Sequence, residues 1–197
     1  MKTLVVVAHP RRDSLTTNMT KKFIEGLAEA GHEYEIADLY AEEFNPILYT
    51  QDEPDWNNPT KIYSDEVMRE IDRIRANDAI VFIFPLWWFS MPAIMKGYID
   101  RVWNFGFAYG SAKLPVQKIR WVALVGSTQA QIEKRNYHLM IEQHLNMGLA
   151  GYTGVSDSKV HFMYNTLGDF SGENQQEKRE VHFNNLLNEA YQLGCNF

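Results

Sequence analysis

Apolar residues fall along this chain in two alternating rhythms. Thr3–Ala8 (TLVVVA) is a β-branched run with no polar alternation, the pattern of a strand buried on both faces of a parallel sheet. Asp13–Ser14 then offers an N-cap. Helix is predicted from Thr16 to Glu29, with Phe23, Leu27 and Ala30 at helical spacing and Gly31 as the stop. Glu33–Asp38 (EYEIAD) alternates and suits a second strand nearer an edge. Leu39 to Tyr63 has no clear period and carries Pro46, Pro54 and Pro59, so it reads as a long excursion, functional or subunit-binding. Ser64 can cap a helix from Asp65 to about Ala76 with Val67, Ile71 and Ile74 on one side. Ala79–Phe84 (AIVFIF) is the third and most hydrophobic strand.

The second half repeats the alternation. Pro92 to Trp103 reads as helix, with Pro92 near its start, where a missing N–H costs little. Ile119–Val125 is the fourth strand, Tyr137 to about Met147 a helix, and Lys159–Tyr164 the fifth strand. Asn174 to Leu193 is a closing helix with Gly194 just past its end. Strand–helix alternation of this kind predicts an α/β chain with a parallel sheet between two helical layers. Five strands favour a flavodoxin-like three-layer sandwich in the order 2-1-3-4-5. No repeat, low-complexity tract or linker divides the chain, so residues 1–197 are expected to form a single domain.

Composition narrows the chemistry. The 45% hydrophobic and 22% charged content is globular, and the net charge of −6 argues against nucleic acid or an anionic membrane as main partner. Cys195 is the only cysteine, so no disulfide framework is expected and a reducing, cytoplasmic setting fits. The run after Met1–Lys2 is too short for a signal core. Ala79–Met95 carries no charge but is broken by Pro85, Ser90 and Pro92 and is shorter than the ~20 residues a span needs, so no integral membrane segment is expected.

In open α/β sheets ligands sit beyond the carboxyl ends of the strands, near the switch in strand order. Three connecting segments meet there. His9–Asn18 (HPRRDSLTTN) leads into a helix N-terminus, whose free N–H groups and positive dipole end suit phosphate, and Arg11 and Arg12 add donors. It has no glycine, so neither the P-loop nor the dinucleotide fingerprint is present. Pro85–Ala93 (PLWWFSMPA) places Trp87, Trp88 and Phe89 in succession. Consecutive side chains cannot all face one core, so at least one ring should line a pocket or an interface, where it suits a planar ligand. Val125–Gln131 (VGSTQAQ) offers Gly126 for close backbone approach and Ser127 and Thr128 as donors.

Pro85–Gly110 (PLWWFSMPAIMKGYIDRVWNFGFAYG), with the opening AHPRRDSLT and the segment DLYAEEFNPIL (Asp38–Leu48), resembles the NAD(P)H:quinone oxidoreductase, or DT-diaphorase, family over roughly residues 3 to 165. The resemblance implies a flavin. It assigns the phosphates and ribityl chain to His9, Ser14, Leu15, Thr16 and Asn18, and the ring system to Pro85, Leu86, Trp87, Trp88 and Phe89. Val125, Gly126, Ser127 and Thr128 match the family's T-T-G-G edge, with valine and serine as departures. The family also uses a tyrosine and a histidine for proton transfer: Tyr137 with His138, or with His144, are the candidates. No metal site is assigned.

The resemblance further implies a ping-pong cycle in which hydride passes from NAD(P)H to a quinone-like acceptor, in a homodimer whose site lies at the subunit seam. The excursion and the Trp103–Tyr109 stretch are candidate seam material. It favours FAD over FMN, because relatives with an FNP-containing excursion hold FAD. The rival readings are a regulatory flavoprotein subunit of a potassium-efflux transporter, a one-electron flavodoxin, whose T-x-T-G-x-T loop is missing here, and a flavin-free phosphate-binding module.

Overall fold

The computed structural model describes residues 1–197. Five parallel strands, β1 (Lys2–Val7), β2 (Glu33–Asp38), β3 (Ala79–Pro85), β4 (Lys118–Leu124) and β5 (Asp157–Met163), form one sheet in the order β2-β1-β3-β4-β5. Successive side chains on a strand point to opposite faces, so the apolar runs of β1, β3 and β4 feed two cores at once. Leu4, Val6, Ile80, Phe82 and Trp121 join the larger core with Val67, Ile71 and Ile74 of α2 (Asp65–Arg75), Met95 and Tyr98 of α3 (Ala93–Val102), and Ile141 of α5 (Tyr137–Glu142). Val5, Val7, Val81, Ile83 and Val122 join the smaller core with Met19, Phe23 and Leu27 of α1 (Leu15–Glu29) and Leu186 and Ala190 of α6 (Gln175–Cys195). No helix is long and apolar enough to cross a membrane.

The local signals explain most boundaries. Ser14 caps α1, its hydroxyl accepting from the Thr17 N–H at 3.1 Å. Gly31 (φ +77°) ends it, with the Gly31 N–H on the Ala28 carbonyl and the His32 N–H on the Leu27 carbonyl, a Schellman arrangement.

Several boundaries differ from expectation. Gly194 lies inside α6, not beyond it, because it is needed for packing. A Cβ there would stand 2.1 Å from the Phe23 carbonyl oxygen, and one on Gly26 would stand 2.2 Å from that of Tyr191, so α1 and α6 touch backbone to backbone. Pro92 is the N-cap of α3, one residue outside the helix. A short helix, α4 (Gln129–Glu133), follows Thr128 through a capping box with Gln131. The helix expected to reach Met147 narrows to α5 and continues as a π-helix, Gln143–Gly151. Asn146, Gly148 and Gly151 are weak helix formers, and the Asn146 side chain is held by the Ser158 hydroxyl at 2.7 Å.

The excursion is pinned by one buried cation. Arg101 of α3 is 2% exposed and donates to the Asp52 carboxylate (2.8 Å), to Glu66 and to the Asn45 carbonyl, while Asn104 donates to the Asp52 carbonyl at 2.6 Å. Outside these anchors the excursion leaves Ile47, Leu48, Tyr49, Trp56 and Ile62 exposed.

Candidate active site

At the carboxyl end of the sheet, where the chain turns from β1 toward β2 on one side and β3 on the other, lies a cleft of about 360 Å³, within the ~300–1,000 Å³ usual for small-molecule sites. One wall is the loop after β1. There the N–H groups of Arg12, Asp13, Ser14, Leu15 and Thr16 find no acceptor within the chain and gather at the start of α1. The His9 Nδ1 meets the Arg11 backbone, 3.0 Å from its nitrogen and 3.3 Å from its carbonyl oxygen, so it accepts from the Arg11 N–H when the ring is neutral at Nδ1 and donates to the Arg11 carbonyl when protonated there, and Nε2 has no partner in the chain. Burial holds His9 below the ordinary imidazole pKa against the opposing Arg11 backbone hydrogen bond, and the Arg11 charge adds to the lowering while Asp13 resists it.

Pro85, Leu86 and Trp87 form the second wall, and the Trp87 ring lies 6.2 Å from that of His9. Trp87 and Ser90 then exchange two backbone hydrogen bonds of 3.0 Å, closing a two-residue turn over Trp88 (φ +52°) and Phe89 (φ +60°). Two aromatic residues in the left-handed region are strained by about 1–3 kcal/mol each. The turn holds the Trp88 and Phe89 N–H groups free of any acceptor in the chain. Strain that keeps donors unpaired beside a cleft marks a binding element.

The Gly126 and Ser127 N–H groups are free as well. A Cβ at Gly126 would come within 3.2 Å of the Leu167 side chain, so glycine lets this edge sit against the third wall, Thr166 and Leu167 of the loop after β5. That loop is tied to the edge by the Asn165 N–H on the Ser127 carbonyl and the Thr166 N–H on the Val125 carbonyl, both 2.9 Å. A second cavity, of about 370 Å³, opens beside the first and is lined by Phe89 and Tyr137, whose rings touch at a centroid distance of 4.3 Å.

Of the residues singled out from the sequence, the structure brings His9, Leu15, Thr16, Pro85, Leu86, Trp87 and Gly126 together around the cleft. Phe89, Ser127 and Tyr137 line the neighbouring cavity. The side chains of the others line neither cavity. The Ser14 and Thr128 hydroxyl oxygens accept the backbone N–H groups of their caps. Val125 is buried, its N–H bonded to the Met163 carbonyl. Asn18 faces solvent on the first turn of α1, and Trp88 is 95% exposed, while Trp87 lines the cleft. His138 is half-buried with an unpartnered Nδ1 and lines neither cavity, and His144 is exposed. Leu124, Thr166 and Leu167 were not anticipated. Asn165 and Gly168, both at positive φ, punctuate the end of β5 and were the available signal. No group of three or more His, Cys, Asp or Glu side chains is placed to hold a metal ion.

A family model described as flavodoxin-like fold matches residues 1–187. The uncharacterized NAD(P)H oxidoreductase YcaK of Escherichia coli is 41% identical over 187 residues, covering 94% of this chain and 93% of that protein. The chain belongs to the flavodoxin-fold NAD(P)H oxidoreductase family. Within that family it is 35% identical over 126 residues to the rat NAD(P)H dehydrogenase [quinone] 1, spanning 46% of the rat protein's length. Among solved structures, an NAD(P)H:quinone oxidoreductase from Methanothermobacter marburgensis superposes with a TM-score of 0.82 at 27% identity, covering 98% of this chain and 96% of that one.

Proposed function

We propose that this chain is a flavin-dependent NAD(P)H oxidoreductase that passes hydride to a quinone-like acceptor. The observation that carries the reading is a set of free backbone donors on the loops that form the cleft and the cavity beside it: Arg12 to Thr16 on the loop after β1, and Trp88, Phe89, Gly126 and Ser127 on the loops after β3 and β4. The first set suits the phosphates of a flavin nucleotide. The second suits the polar edge of a flat ring system as negative charge builds there, in the manner of an oxyanion site. When bound, the flavin supplies the two-way hydride chemistry that no side chain can.

The chain's own residues then have distinct tasks. The His9 ring and Arg11 add donors at the phosphate end. Leu86 and Trp87 give the ring an apolar wall and exclude water. Tyr137 Oη, next to Phe89, moves the proton that accompanies hydride, with His138 as its neighbour in α5. Donor and acceptor use the same space in turn, which is a ping-pong cycle. The excursion favours FAD, with FMN as the alternative, and its exposed Ile47, Tyr49, Trp56 and Ile62 suit the seam of a homodimer. A reducing, cytoplasmic setting is part of the same reading.

The test is to release the chromophore from purified protein, identify it, and titrate its reduction with NADH and NADPH. A yellow protein reduced by either supports the reading. A colourless protein that neither FAD nor FMN reconstitutes overturns it. Initial-rate patterns for NADH and quinone should be parallel, and intersecting lines would exclude ping-pong.

A further inference from the structure

The cavity lined by Phe89 and Tyr137 carries an electrostatic signature that the flavin reading leaves unused. Its charged lining residues are Lys134 and Arg135, and no carboxylate lines it. Neither cation makes an ion pair or a side-chain hydrogen bond within the chain. The one acid beside them in sequence, Glu133, accepts from the Gln129 side chain at 2.7 Å and does not line the cavity. Asn136, at φ +56°, breaks the chain between α4 and α5, and the two cations and Tyr137 line one cavity across that break. Two uncompensated cations thus meet over one cavity in a chain whose net charge is −6. They share its lining with Phe89, Tyr137 and Ser127, whose N–H is free.

We infer that this cavity seats the anionic group of a planar substrate, with Arg135 and Lys134 as the residues that recognise it. The inference rests on the oxidoreductase reading and names the substrate class: a flat redox ring carrying a phosphate-like or sulfonate-like oxyanion. The ring packs at Phe89 and Tyr137, and the oxyanion meets a guanidinium fork and an ammonium. Such an oxyanion has two sources, the diphosphate of the nicotinamide donor or an acidic substituent on the acceptor.

The experiment compares wild type with Lys134→Ala/Arg135→Ala and Arg135→Lys. Both side chains are exposed and unpaired, so truncation leaves the fold intact. Donors are NADH and uncharged 1-benzyl-1,4-dihydronicotinamide; acceptors are menadione and 1,2-naphthoquinone-4-sulfonate. In the double variant kcat/KM for the charged member of one pair should fall about tenfold relative to its neutral partner, the size of one charge-assisted hydrogen bond. Arg135→Lys should recover part of it. A fall confined to the donor pair identifies the nicotinamide diphosphate, and one confined to the acceptor pair identifies an acidic quinone.

Inorganic pyrophosphate, titrated calorimetrically into the same purified proteins, gives a readout that needs no turnover. It should bind about tenfold more weakly to the double variant. Charged-to-neutral ratios within twofold of wild type, with equal pyrophosphate binding, would overturn the inference. Should the protein prove unable to hold flavin, the reading above fails, while the pyrophosphate contrast still decides this one.

Discussion

Replacing Arg101 by methionine tests the anchor of the excursion. The guanidinium is 2% exposed and faces an Asp52 side chain that is 0% exposed, at 2.8 Å, and it also holds Glu66 and the Asn45 carbonyl. Methionine fills much of the volume but leaves Asp52 buried with only the Ser64 N–H (2.7 Å) and hydroxyl (2.8 Å) as donors. Stranding one partner of a buried ion pair costs about 3–5 kcal/mol, a large share of the ~5–15 kcal/mol that holds a domain together. The sign with pH follows from Asp52. Burial pushes its pKa up, but the Arg101 and Ser64 hydrogen bonds outweigh that and leave it below the ordinary carboxylate value. The stabilisation in wild type is therefore complete above about pH 4 and is lost as pH falls through the depressed folded value. Without Arg101, burial dominates and the Asp52 pKa rises, so protonation relieves the variant first. The gap between the two proteins should narrow from pH 7.5 to pH 5 in guanidinium unfolding followed by tryptophan fluorescence, and adding Asp52→Asn to the variant should restore part of the loss. A loss under about 1 kcal/mol, a gap that widens in acid, or no recovery with Asp52→Asn would refute the reasoning.

Gly194→Ala should destabilise by roughly 1–3 kcal/mol although alanine is the better helix former, because its Cβ meets the backbone of α1; an unchanged or raised Tm would show that α1 and α6 separate at no cost. Trp87→Ala should weaken flavin retention by about 1.5–3 kcal/mol, and Trp88→Ala by less, since Trp87 lines the cleft and Trp88 is 95% exposed; flavin fluorescence titration checks the order, and the reverse order would mean that the turn closes over the ligand. Burial, with Lys159 and Arg120 beside it, pushes the His161 pKa from 6.5 down to about 4. The unfolded chain takes up this proton first, so stability falls as pH drops from about 6.5 to 4. His161→Leu should flatten that part of the curve in calorimetric Tm measurements, and an unaltered slope would remove His161 as its source.

The sheet was legible because its signals are local and redundant. β2 was bounded to the residue, and each other strand to within two, by apolar runs that a two-sided core demands. The strand order followed from strand count and alternation, since right-handed crossovers leave few alternatives. What escaped was whatever depends on a distant partner. Gly194 carries the same letter as a helix-terminating glycine, and only the approach of α1 shows that it serves as a contact surface. The π-helical stretch carries a contact between Asn146 and Ser158 across the fold, which no periodicity encodes.

The candidate site divides along the same line. The loops after β1, β3 and β4 were located from the rule that ligands gather at strand ends, and the cleft contains residues of all three. Within those loops, residue type was a poor guide to task. Ser14 and Thr128 look like ligand donors but their hydroxyl oxygens accept the N–H groups of helix caps, while the groups left free are backbone N–H, which every non-proline residue carries and no sequence pattern flags. Trp87 and Trp88 are adjacent and chemically identical, and the left-handed turn at Trp88 and Phe89 sends one ring to the cleft and the other to solvent. Thr166 and Leu167 carry no pattern that marks a ligand loop. The strand-end rule extends to β5, whose following loop is bonded at Val125 and Ser127 to the edge after β4. A site built from backbone donors and turn conformations is therefore readable in place but not in detail, and its substitution tests should target the residues that hold the backbone: Gly126, Asn165 and the Trp87–Ser90 turn.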